Sequence, residues 1–124
     1  MTPAPHLPTP SSHVVVGLDN GGTSDNATVL DSAGQFLIPG LLEVPSRVRE
    51  GPAAALDALV TSFDTALDYT GLPRRAVRAV GLDSPGPASA QGVISSKGST
   101  NFGNGDWSGF DLRGALGGWC LSRV

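Results

Sequence analysis

The sequence predicts an α/β domain built on a mixed β-β-β-α-β sheet, and three observations carry that prediction. An apolar run at residues 14–19 (VVVGLD) ends in the turn Asn20-Gly21-Gly22-Thr23. Residues 51–70 change to a helical period, and a second apolar run (AVRAVGLD) follows at 76–83. A helix of about five turns between two strands leaves room for them to pair in parallel through a right-handed crossover.

Taken in order, Val14, Val15 and Val16 are β-branched and run directly into a turn, which marks a buried strand. Asn20-Gly21 is a strong hairpin signal, so residues 26–31 (NATVLD) are read as the return strand. Asp31-Ser32-Ala33-Gly34 makes a second turn. Residues 35–44 are expected to supply a third strand, interrupted at Pro39-Gly40 by an edge position or a bulge.

The opening is thus a three-stranded meander. In the next segment Leu56, Leu59, Val60, Phe63, Ala66 and Leu67 recur at helical spacing. Pro52 is acceptable in the first turn of that helix, and Gly71 with Pro73 stops it. Residues 84–109 are loop-like, with a short hairpin around Gly92-Val93-Ile94; a connection this long is expected to line a binding site. An amphipathic helix begins at 112–116, and Gly117 with Gly118 is expected to break it. Residues 117–124 are read as an irregular tail ending at Val124, open to a frameshift or early stop in the parent gene.

Composition narrows the class of function. With 124 residues the chain fits one domain, and 17 Gly and 10 Pro point to many turns. A net charge of −3 gives no general attraction to nucleic acid or anionic membranes, and neither is expected as a partner. The basic cluster Arg74, Arg75 and Arg78 is read as a solvated loop and strand start. Cys120 is the sole cysteine, which excludes an internal disulfide framework and a cysteine-based zinc site and fits a reducing cytoplasm. His6 and His13 lack the spacing of metal ligands. Residues 1–13 are read as a disordered, proline-rich leader without a secretory signal, and no apolar run is long enough to span a bilayer.

The turn after the first strand has the chemistry of a phosphate site. Gly21 and Gly22 offer backbone without side chains, Thr23 adds a hydroxyl, and Asp19 at the strand end can orient a hydrated Mg²⁺. A plain hairpin tip has the same geometry, so the turn alone does not separate the two readings.

Three motifs in order carry a resemblance: Asp19-Asn20-Gly21-Gly22-Thr23, then Gly81-Leu82-Asp83-Ser84-Pro85-Gly86-Pro87, then Gly92-Val93-Ile94, Asn101 and Trp107-Ser108-Gly109-Phe110-Asp111-Leu112. Over residues 14–116 the chain resembles the N-terminal half of the ROK family of sugar kinases, open reading frames and repressors. That resemblance implies the actin-like, hexokinase-like ATPase fold, which is ribonuclease H-like. It also implies transfer of the γ-phosphoryl group of ATP to a glucose-type hexose. By the match, Asp19, Gly21, Gly22 and Thr23 would serve the phosphates, with Asp19 acting on Mg²⁺ indirectly. Ser84, Pro85, Gly86, Pro87 and Asn101 would form part of the sugar pocket, with Trp107 or Phe102 as an apolar wall. Asn20 stands where the family usually has an aliphatic residue, and Asp83 where it usually has a small or apolar one.

The family's general base is the Asp of an Asn-Asp pair, and this chain has no such dipeptide. The resemblance therefore places the base beyond Val124, together with the family's zinc motif and second domain. Asp83, Asp106 and Asp111 are more simply read as surface or turn carboxylates. The chain is expected to be the N-terminal domain of a hexose kinase, catalytically silent alone. Two alternatives stand beside it: a sugar-binding regulatory module, and a non-catalytic remnant or interaction protein whose exposed cleft face associates with itself or another chain. The thirteen residues before Val14 are too few for the helix-turn-helix of a DNA-binding repressor.

Overall fold

The computed structural model describes residues 13–40, 42–83, 88–95 and 105–120. Strand β1 (Val14–Asn20) forms a hairpin with β2 (Ser24–Leu30), and β3 (Leu42–Pro45) pairs antiparallel with β2. Helix α1 (Pro52–Thr70) then runs back, and β4 (Val77–Asp83) pairs parallel with β1, giving the order β3-β2-β1-β4. This is the mixed β-β-β-α-β sheet expected from the pattern. A second helix, α2 (Leu112–Cys120), packs against α1.

Alternation sorts the strands into two faces. Val14, Val16, Leu18, Ala27 and Val29 are buried beneath α1, whose Ala55, Leu59, Phe63, Ala66 and Leu67 complete the core. The side chains of Val15, Asp19, Ala79 and Asp83 lie on the other, exposed face. Gly17 sits on that face too, where a Cβ would come within 3.3 Å of Thr28 Cγ2. Helix α1 ends as its sequence demands: Gly71 takes φ 73°, and the amides of Gly71 and Leu72 donate to the carbonyls of Asp68 and Leu67. Arg74 caps this corner by pairing with Asp64 at 3.0 Å while lying over the Phe63 ring. No described helix is long and apolar enough to cross a membrane.

Three expectations need correction. The third strand is displaced toward the C-terminus: Phe36 makes only an isolated bridge to Leu30, and the true strand is Leu42–Pro45. Pro39 has no amide hydrogen for a ladder, so regular pairing resumes after it. The return strand starts earlier than residue 26: β2 is Ser24–Leu30, so the expected hairpin closes over Gly21, Gly22 and Thr23. Asn20 is the last residue of β1, and the Gly21 amide donates to the Ser24 carbonyl at 3.0 Å. Finally, the tail expected to be irregular from Gly117 to Val124 is helical over its first half, because Gly117 and Gly118 do not break α2, which continues to Cys120. Burial of Leu112 and Leu116 in the core outweighs the propensity cost of about 1 kcal/mol per glycine.

The rest of that tail, Leu121 to Val124, lies outside the described residues, as do residues 1–12 of the expected leader. The expected turn at residues 31–34 does form, with Asp31 Oδ1 accepting from the amides of Ala33 and Gln35 at 2.9 Å. The short hairpin near Gly92 forms as well, through an Ala88–Ile94 bridge.

Candidate functional site

Strands β1 and β4 are parallel, so their carboxyl ends emerge side by side, the position where open α/β sheets bind ligands. Asp19 and Asp83 are register partners there, and both are exposed. The turn beyond β1 is held from two sides. Gly21 is bound to Ser24 across the turn, and the Ser46 amide donates to the Thr23 carbonyl at 3.0 Å.

The two glycines of the turn do different work. A Cβ on Gly21 would lie 2.5 Å from the Ser24 carbonyl oxygen, so the tight turn itself excludes a side chain. A Cβ on Gly22 would meet nothing within 4 Å. Gly22 and Thr23 are exposed, and Gly22 therefore presents bare backbone to solvent just past the end of the strand that carries Asp19. Oxygen donors of this kind suit Mg²⁺, which keeps several waters and takes one or two carboxylates. The residues present fit a magnesium-bound polyphosphate.

Among the sugar-site expectations, Ser84, Pro85, Gly86, Pro87, Asn101 and Phe102 lie outside the described residues. The general base, expected beyond Val124, lies outside them too. Trp107 does not line an open pocket. Its ring is fully buried, its Nε1–H donates to the Val48 carbonyl at 2.8 Å, and Phe110 meets it edge-on at 5.7 Å. The indole locks the 105–110 segment to the entry of α1. Asp111 Oδ1 accepts from the Gly114 amide at 2.9 Å and so caps α2, which agrees with its reading as a turn carboxylate. Asp106 is exposed.

A groove of about 600 Å³ lies between β4, the 88–94 hairpin and α2. Val80, Leu82, Ile94 and Leu116 give it apolar walls, with Arg78 and Arg113 at its lining. It holds none of the phosphate-turn residues, so this cavity is not the candidate phosphate site.

The sequence pattern left one feature unread. Asn20, Asp25 and Ser46 are buried on the α1 face, directly under the turn. Burial, and after it the negative charge of Asp19, pushes the Asp25 carboxyl up to about 7. The signal was available: Asp25 alternates with Ala27 and Val29, which places it on the core face.

The chain is similar in structure to a ROK hexokinase from Thermus thermophilus, with a TM-score of 0.65 and 30% identity over 84% of this chain. The chain has the fold of ROK-family sugar kinases. A ROK glucokinase from Streptomyces griseus, in complex with glucose and AMPPNP, matches 90% of the chain at a TM-score of 0.61 and 22% identity, a likeness of fold. The chain spans 31% of the length of the Thermus ROK protein and 30% of the Streptomyces one. No family model and no curated protein matches it.

Proposed function

We propose that this chain is the phosphate-binding lobe of an ATP-dependent hexose kinase of the ROK type. The observation that carries the reading is the Asp19–Thr23 turn, with its open Gly22 backbone, at the carboxyl end of a strand that has a parallel neighbour, in a fold shared at 30% identity with a ROK hexokinase. Phosphoryl transfer depends on positioning and charge neutralisation. In this reading the backbone of Gly21 and Gly22 and the Thr23 hydroxyl receive the phosphates. Asp19 holds the water shell of Mg²⁺, which when bound neutralises phosphate charge. Ser84, Pro85, Gly86 and Pro87, which follow β4 in the sequence, and Asn101 beyond them would supply groups toward a glucose-type sugar. The adjoining ends of β1 and β4 would bring donor and acceptor together.

A carboxylate base is also required, and the 124 residues lack the Asn-Asp pair that the resemblance calls for. We therefore propose that the chain binds nucleotide weakly and transfers no phosphoryl group without a second lobe. Self-association through the exposed cleft face is a further proposal; β4, as the edge strand of the described sheet, offers unpaired backbone that supports it. Calorimetric titration with MgAMPPNP and a coupled assay with glucose and MgATP test the main reading. Binding that Asp19→Ala weakens at least tenfold, with no turnover, supports it. Turnover that survives Asp19→Ala overturns both the silence and the role of Asp19.

A further inference from the structure

Asn20, Asp25 and Ser46 have relative exposures of 1%, 0% and 0%. Asn20 stands directly opposite Asp25 in the β1–β2 ladder, so their Cβ atoms are about 4.5–5.5 Å apart. Asp25 is also the partner of Val44 on β3, and Ser46 follows two residues on, restoring the same face. Three elements thus point three polar side chains into one place beneath the phosphate turn. Yet Asn20 Oδ1 and Nδ2, both Asp25 oxygens and Ser46 Oγ have no hydrogen-bond partner among the described residues. Buried polar atoms are ordinarily paired, and a buried carboxylate needs a counter-charge. The nearby Arg47 is exposed and committed to Glu50 at 3.2 Å.

We propose that Asn20 Oδ1, the Asp25 carboxylate and Ser46 Oγ bind one dehydrated monovalent cation, sodium or potassium, which fastens the β1–β2 hairpin to the residues that follow β3. The donor set is hard oxygen throughout, the class that alkali and alkaline-earth ions prefer. One carboxylate balances one positive charge. Asp19, the acid whose charge acts on Asp25, lies on the opposite face and is exposed, so it does not complete a divalent cage. Such an ion would also relieve the repulsion that Asp19 exerts on Asp25. Since Ser46 already grips the Thr23 carbonyl, occupancy would pre-order the turn. The site rests on the buried side chains and stands whether or not the turn binds nucleotide.

The test is thermal unfolding of the full chain, without nucleotide, in NaCl or KCl against N-methyl-D-glucamine chloride at equal ionic strength. A saturable rise in Tm of about 5 °C with one of the small cations, absent in Asp25→Asn, is expected. Identical melting in all three salts, or a rise that Asp25→Asn retains, overturns the proposal and leaves a proton or water in the site. Should Asp25→Asn fail to fold, Ser46→Ala decides: its cation titration midpoint should move several-fold to higher concentration, and an unmoved midpoint overturns the assignment.

Discussion

At the residue scale, adjacent glycines separate folding from binding. Gly21→Ala forces a methyl against the Ser24 carbonyl and should destabilise the chain by about 1–3 kcal/mol. Gly22→Ala meets no protein atom and should change stability by less than about 0.5 kcal/mol. The same methyl would stand where the proposed phosphate would approach, so nucleotide binding should fall at least tenfold. Denaturant unfolding and calorimetry on the two variants read the two effects separately.

Asp25 gives the residue scale a pH signature. Its folded value, about 7, lies above the ordinary 3.8, so the folded state holds the proton more tightly than the unfolded chain. The sign is opposite to that of a salt-bridged Asp. The stabilisation is complete below the unfolded value and is lost as pH rises through about 7. In a buffer whose only cation is bulky and organic, unfolding free energy should therefore decline from about pH 5 to about pH 8, and Asp25→Asn should flatten that decline. Sodium or potassium, competing with the proton, should flatten it too.

At the element scale, periodicity is a good guide wherever one force dominates. The β1 valines, the 52–70 helix and its Gly71 stop, and the return to a strand at 77–83 are all legible, because burial, propensity and capping agree there. Legibility fails where forces compete. Pro39 confines β3 to the C-terminal end of its expected span, and Gly117-Gly118 signals a break that the buried Leu112 and Leu116 override. Trp107 fits either a sugar wall or packing, and only its bond to Val48, 59 positions away in sequence, decides between them. The glycines of α2 remain a cost. Gly118 is exposed and a Cβ there touches nothing, so Gly118→Ala should stabilise the chain by about 0.5–1 kcal/mol, measured by urea unfolding.

At the scale of the whole molecule, the topology does the positioning. A single crossover helix makes β1 and β4 parallel, so the turn after β1 and the chain leaving β4 depart from the same end of the sheet. One face of the sheet is filled by α1, with α2 packed on α1, while β4 is the edge strand of the described sheet and borders an apolar groove. The candidate phosphate site is legible in the sequence because glycines, a hydroxyl and a carboxylate follow one strand without interruption. The buried cluster beneath it is not, because its three members come from β1, β2 and the segment after β3, and only the register brings them together.

The most direct test of the phosphate turn is to follow backbone amide chemical shifts of the isotopically labelled chain during titration with MgAMPPNP. Saturable shifts concentrated at Gly21, Gly22 and Thr23 are expected, reduced in Asp19→Ala and in Gly22→Ala. Shifts confined to the groove between β4 and α2, or none at the turn at saturating nucleotide, would contradict the proposed role of the turn.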